Sequence, residues 1–167
     1  HNALSALTLG DNNTAIGYNA LTSGTSATEN TIVGSLAGDA LVGGGSNTIV
    51  GAHAGGQTTA VGKTVIIGAE AGESVMEATA DGTVAVGYEA LKGLTSGAGS
   101  VAVGYRALKA QTTGASNTAI GYQSMLVANH ADADQNTCVG YISGNAISSG
   151  QKNTLIGNEA GCTRLTT

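Results

Sequence analysis

The side chains that could do chemistry are few and scattered. The 167 residues hold three histidines, two cysteines and eleven carboxylates, beside six lysines and arginines. His53 has no serine or cysteine nucleophile placed beside it by the sequence pattern. Glu70 and Glu73 form an acidic pair of the kind that cleaves glycosidic bonds. However, the chain lacks Trp and Phe with which to wall a sugar cleft, and a solvated outward face is the plainer role for both carboxylates. His130, Asp132 and Asp134 cluster within residues 129–135, and imidazole with carboxylates suits several divalent metals. A solvated loop tip is again the plainer role. Glycine-rich rolls built on calcium need an aspartate in every turn, which Asp11, Asp39, Asp81, Asp132 and Asp134 do not supply. No GxxxxGK[ST] phosphate loop occurs, and Gly43-Gly44-Gly45 leads into a strand-like run rather than a helix. No catalytic residue, metal or cofactor is therefore expected. Cys138 is expected to be a small buried hydrophobe and Cys162 a free thiol.

The tyrosines are different. All five occupy one column of an internal repeat, the position after its glycine: Tyr18, Tyr88, Tyr105, Tyr122 and Tyr141. Tyrosine supplies contact area at low entropic cost. Tyr88, Tyr105, Tyr122 and Tyr141 are therefore candidate receptor contacts, together with His130, Asp132 and Asp134 in the loop. Packing of the rings across an oligomer or over a turn is the alternative.

The repeat that creates this column is set by Gly17, Gly34, Gly51, Gly68, Gly87, Gly104, Gly121, Gly140 and Gly157, at steps of 17 or 19 residues. A degenerate earlier copy is expected to end at Gly10. Ile or Val always precedes the glycine. The residue before that is small or aliphatic, and Thr or Val comes before it. Asn stands four before the glycine in six copies and Thr or Ser in the rest, either as a turn residue or as a ladder of stacked amides. A small residue stands three after the glycine, and Leu, Met or Gly four after.

These short β-branched runs have no 3.6-residue period and predict strands. A 17-residue repeat accommodates two strands of about five residues and two turns. Stacked at about 4.8 Å per coil, nine repeats make a rod of roughly 40 Å. The expected fold is an all-β parallel β-roll or solenoid, one repeat domain over residues 1–167, cut from a longer fibre or adhesin. Side chains alternate faces along a strand. Thr14 and Ile16 share one face, which is uniformly β-branched and is expected to line the inside of the coil. The other face carries Ile32, Ile49, Ile66 and Leu155 and is also apolar. One thin coil covers only one face, so Ile32, Ile49, Ile66 and Leu155 are expected to form an oligomer interface.

Composition supports this. Glycine numbers 27, charged residues are only 10%, and Pro, Phe and Trp are absent, which suits closely spaced backbones. The net charge of −5 and the scattered cations exclude the basic footprint of a nucleic-acid or anionic-membrane binder. No apolar run is long enough to insert in a membrane.

The run Ser100-Val101-Ala102-Val103-Gly104-Tyr105-Arg106-Ala107 resembles the head repeat of trimeric autotransporter adhesins. Asn13-Thr14-Ala15-Ile16-Gly17-Tyr18-Asn19-Ala20-Leu21 and Asn117-Thr118-Ala119-Ile120-Gly121-Tyr122 are similar to repeats of phage and large-virus tail fibres. The resemblance implies a left-handed parallel β-roll, a homotrimer with the strand motif facing the trimer interior, and attachment to a cell-surface receptor, glycan or protein. It places the chain on a virion surface or, alternatively, on a bacterial outer surface. The longer repeat and the Asn-Thr preference favour the fibre. A polysaccharide-cleaving tailspike and an ice-binding solenoid are the competing uses of such a coil. Ice binding requires Thr14, Thr31, Thr48, Thr118, Thr137 and Thr154 to face water in a flat array, which Val65, Val84 and Val101 interrupt.

Overall fold

The computed structural model describes residues 2–128 and 133–162. They form a parallel β-solenoid in which each repeat contributes one three-residue strand. The strands are β1 (Thr14–Ile16), β2 (Thr31–Val33), β3 (Thr48–Val50), β4 (Val65–Ile67), β5 (Val84–Val86), β6 (Val101–Val103), β7 (Thr118–Ile120), β8 (Thr137–Val139) and β9 (Thr154–Ile156). All nine pair in chain order in a single parallel sheet. The register matches the repeat columns: Thr14 lies beside Thr31, Ala15 beside Ile32 and Ile16 beside Val33. The expected second strand per repeat is absent among the described residues. The rest of each coil is turn, held to its neighbours by backbone bonds such as Leu21 N–H to the Ala37 carbonyl (3.1 Å) and Gly38 N–H to Ala54 (2.9 Å).

The coil closes through left-handed residues at fixed columns. The residue two after the glycine has φ between 51° and 58° in every repeat, from Asn19 and Leu36 to Ile142 and Glu159. The residue four after the glycine (Leu21, Gly38, Leu91, Met125) and that five before it (Asn12, Ser46, Lys63, Lys152) are also left-handed. Such a conformation costs a non-glycine residue about 1–2 kcal/mol. The coil-to-coil ladder offsets it: the left-handed His53 gives its N–H to the Ser35 carbonyl (3.0 Å), and Arg106 to Tyr88 (2.9 Å). The defining glycines need no such offset. Gly51 has φ +138°, and a Cβ there would lie 2.6 Å from the carbonyl of Gly68 in the next coil. Both the dihedral and the close approach exclude a side chain. Gly10 does not close a strand. It stands in the turn column of Ala27, whose carbonyl a Cβ on Gly10 would strike.

The two sheet faces are the reverse of the sequence expectation. Ile32, Ile49 and Ile66 are completely buried inside the single coil, and Leu155 packs against the same core. These four therefore do not present an interface. Thr14, Ile16 and their equivalents face outward. The reason lies across the coil: the residue four after the glycine fills the same interior as the central strand residue, and their volumes are complementary. Where the strand centre is Ala, the turn supplies a large residue: Ala15 with Leu21, Ala85 with Leu91, Ala102 with Leu108, Ala119 with Met125. Where it is Ile, Leu or Cys, the turn has glycine: Ile32 with Gly38, Ile49 with Gly55, Ile66 with Gly72, Cys138 with Gly144, Leu155 with Gly161. A Cβ at Gly38 would stand 3.1 Å from Ile32 Cδ1. Interiors pack to near-constant density, so these two facing positions do not both hold a large side chain in any one coil.

The Asn column is a buried amide ladder. Asn30 gives both its backbone N–H (3.1 Å) and its Nδ2 (3.0 Å) to Asn13 Oδ1, and Asn47 does the same to Asn30 Oδ1 (3.0 and 2.8 Å). The spare Nδ2 hydrogen of Asn47 reaches the Val61 carbonyl (2.8 Å). Asn117, Asn136 and Asn153 repeat the pattern. Between the two runs, Gln111 substitutes by bonding Ser100 Oγ (3.0 Å) and accepting from Asn117 Nδ2 (3.2 Å). The two 19-residue repeats share another device. Asp81 Oδ1 accepts from Gly62 N–H and Asp134 Oδ1 from Ala115 N–H, each at 2.7 Å, tying the lengthened turn to the preceding coil. With Asp11 these two do share a column, six before the glycine.

Candidate functional surface

Three surface features follow from this coil. The first is the outward sheet face. It carries two parallel rows, Thr or Val at the first strand position and Ile or Val at the third, with no charged residue in either. Ile67 and Ile120 are 37% and 39% exposed in mid-rod, and Ile16 and Ile156 at its ends 61% and 71%. The six threonines of the first row, Thr14, Thr31, Thr48, Thr118, Thr137 and Thr154, lie in this face, exposed or half-buried, and Val65, Val84 and Val101 interrupt them.

The second is the tyrosine column. Tyr88, Tyr105, Tyr122 and Tyr141 stack on successive coils, with ring centroids 5.5, 5.0 and 5.3 Å apart and interplanar angles of 22°, 8° and 13°. Atoms in contact lie about 3.5–4.0 Å apart. The wider centroid spacing means the rings are offset, the arrangement their quadrupoles favour. Tyr88, Tyr122 and Tyr141 are exposed and Tyr105 is half-buried. Tyr105 and Tyr122 are stacked on both sides, so only the two ends of the stack offer a bare ring face. The Arg106 guanidinium sits 4.9 Å from the Tyr105 centroid and 6.0 Å from that of Tyr88, within cation–π range.

Beside the stack is the third feature, an ion-pair cluster centred on Glu89. This carboxylate is almost fully buried and left-handed. Its Oε2 accepts from Arg106 Nε (2.5 Å) and Lys109 Nζ (2.8 Å), and its Oε1 lies 3.4 Å from Lys92 Nζ. Burial pushes the Glu89 carboxyl up, but hydrogen bonds from Lys109, Arg106 and Lys92 outweigh it, lowering it from 4.5 to about 2. Lys92 also binds Glu70 (2.5 Å) and Glu73 (2.9 Å), and these bonds hold its ammonium above the usual range. The acidic pair singled out for glycosidic cleavage is thus clamped on one lysine.

The remaining candidates are dispersed. His53 is exposed, two coils from the cluster centre, and its charge acts on Asp39, whose carboxyl burial raises. His130 and Asp132 lie outside the described residues, and Asp134 is half-buried on its backbone partner. Cys138 is buried, and burial pushes its thiol up to about 11. Cys162 Sγ lies 2.7 Å from the Ile142 carbonyl. Among the described residues no group of His, Cys, Asp and Glu could hold a metal ion, and no helix is long and apolar enough to cross a membrane. The ion cluster was not foreseen. Its signal was present, since Glu70, Glu89 and Arg106 share one column and Glu73, Lys92 and Lys109 stand three residues beyond them.

No protein-family model, curated protein or solved structure matches this chain.

Proposed function

We propose that the chain is a non-enzymatic, structural segment of an extracellular fibre, of the viral tail-fibre kind, that assembles as a trimer and spaces or mediates attachment to a cell surface. The observation that carries this is the outward face of β1–β9. Its eighteen positions hold twelve Ile or Val and six Thr, in two unbroken rows without a charge. Fully burying one such aliphatic side chain is worth about 1.5–3 kcal/mol. Contiguous apolar surface of this kind marks association. A straight ladder presented by identical rods closes most simply around an axis parallel to them, with the same level of each rod meeting. The repeat resemblance supports three as the number and attachment as the role, and it supports a bacterial adhesin head as the other setting.

Solution mass by light scattering, with dilution, tests this. A mass of three chains that persists on dilution is expected. Val50→Asp places a charge on the outward face and is expected to give a folded single chain. Ile49→Asp buries that charge inside the coil and is expected to unfold it. A single-chain mass for the unmodified protein refutes the assembly.

A second reading has its own observation: the threonine row faces outward in register on the parallel sheet. If the rod is a single chain in solution, that face is free to bind ice. Thermal hysteresis lost in Thr48→Asp would establish it.

A further inference from the structure

The outward sheet face has two edges. The residue five before each glycine stands beyond one of them, and the residues one and two after the glycine stand beyond the other. The first of these columns is exposed and left-handed in every coil, and it accepts Asn, Glu, Ser, Lys and Gln as well as Gly82 and Gly99. Its charges follow the far edge of the same coil. Its two cations, Lys63 and Lys152, lie in the coils whose second residue after the glycine is Glu70 and Glu159. No coil sets like charges in these two positions. Its size follows the far edge as well. In the coils of Tyr88, Tyr105 and Tyr122 it holds Gly82, Gly99 and Ser116, whereas in the coil of Ala69 it holds Lys63 and in that of Ser35 it holds Glu29. Tyr18 and Tyr141 go with the intermediate Asn12 and Gln135.

Neither match is made within one chain, because the strand separates the two edges. Among the described residues Lys63, Lys152 and Glu159 make no ion pair, and Glu70 is bonded to Lys92 through Oε2 alone. A Cβ on Gly82 would meet nothing within 4 Å, and one on Gly99 only Ser116 Oγ, at 3.9 Å. No neighbour in the chain keeps the column small at those levels.

We propose that the two edges form the seam between neighbouring copies of this chain. Lys63 and Lys152 of one copy pair with Glu70 and Glu159 of the next, and the tyrosine ring edges of that next copy lie over Gly82, Gly99 and Ser116 of the first. The inference rests on the assembly proposed above. Any rotation about an axis along the rods brings one edge of the outward face against the opposite edge of the neighbour at the same height, whatever the number of copies. The apolar face supplies the adhesion. The seam sets level and direction, because exposed ion pairs add little affinity while mismatched charges are penalised. A slip of one coil either way sets a lysine against a tyrosine: Lys63 against Tyr88, or Lys152 against Tyr141.

Cross-linking tests the seam. A chain with Lys63→Cys and Glu70→Cys, in a Cys162→Ser background, is treated with a short bismaleimide. Covalent dimers and trimers are expected on a denaturing gel, and none from Lys63→Cys with Glu159→Cys, which lie in the coils of β4 and β9. Gly99→Lys, opposite Tyr105, is expected to raise the dissociation constant of the assembly at least about tenfold, and Ser46→Lys, in the same column opposite Ala52, less than about twofold. Both variants keep the fold, as circular dichroism would check, since the column already carries lysine at Lys63 and Lys152. Three results would overturn the seam and leave the assembly standing: no link in a protein of multi-chain mass, equal linking of the matched and mismatched pairs, or equal effects of Gly99→Lys and Ser46→Lys. A single-chain mass for the unmodified protein overturns both.

Discussion

The volume exchange inside the coil makes a sharp prediction at Ala102 and Leu108. Both are fully buried, and they belong to one coil of the Ala-with-Leu type. Leu108→Gly alone removes a buried side chain and leaves a cavity, a change that costs about 2–5 kcal/mol even when a methyl is kept. Relief of the left-handed backbone, φ +51° at Leu108, returns about 1 kcal/mol. Ala102→Ile alone overfills the coil and is expected to cost about 1–3 kcal/mol. If the two positions were independent, the double variant would lose roughly 2–7 kcal/mol, the sum of these. The double variant instead recreates the Ile-with-Gly coil of Ile49 and Gly55. Mixed stacking is already native where Ile66 and Gly72 meet Ala85 and Leu91. The expected loss is therefore under about 1.5 kcal/mol, as for a volume-conserving exchange, with a coupling of about 3 kcal/mol at the middle of the additive range and of at least about 0.5 kcal/mol at its low end. Urea unfolding of all four proteins at one concentration measures it, since association would otherwise shift the midpoints. A double variant whose loss equals the sum would mean the two side chains do not share one space, and the account of the core would fail.

Three further outcomes are expected. Asn47→Ala removes the Nδ2 donor from Asn30 Oδ1, whose bond from the residue-47 backbone N–H remains, and takes the acceptor from Thr64 N–H and Oγ1; at about 1–3 kcal/mol per buried unpaired group, it should lower the urea midpoint far more than Asn12→Ala, which lies on the surface, and equal midpoints would refute the ladder. Glu89→Gln should reduce stability at neutral pH and flatten the acid limb. Its lowered carboxyl contributes stability that is present above the ordinary value of 4.5 and is lost as pH falls towards about 2, so an unchanged pH profile over that window would count against the cluster. Gly51→Ala forces a side chain into φ +138° and against the Gly68 backbone, and should cost several kcal/mol, of order 3 or more; Gly82→Ala, where a Cβ meets nothing within 4 Å, should cost less.

Much of the fold is legible in the chain. The nine glycines mark every strand end, and parallel in-register stacking follows because only that arrangement superposes the columns. The amide ladder was one of two roles open to the Asn column. The tyrosine stack follows from a shared column once coils lie about 4.8 Å apart. What the strands alone could not decide is which face lies inside. Both are apolar, and a three-residue strand alternates faces without saying towards which of them the chain then turns. That sense is set by left-handed backbone two residues after the glycine, where the sequence carries Asn, Leu, His, Glu, Arg, Gln and Ile, residues with no common preference for that conformation, and four residues after it, where Gly alternates with Leu and Met. The deciding signal was a covariation spanning six residues, large at the strand centre with Gly in the turn and small with Leu or Met. It becomes readable only when both positions are known to face one interior. The ion cluster has the same origin: Glu89, Lys92, Arg106 and Lys109 are neighbours because of the coil pitch, and their mutual neutralisation depends on side-chain reach between coils. Sequence periodicity determines the stack and its columns, whereas inside and outside were decided only by how each turn closes on its strand.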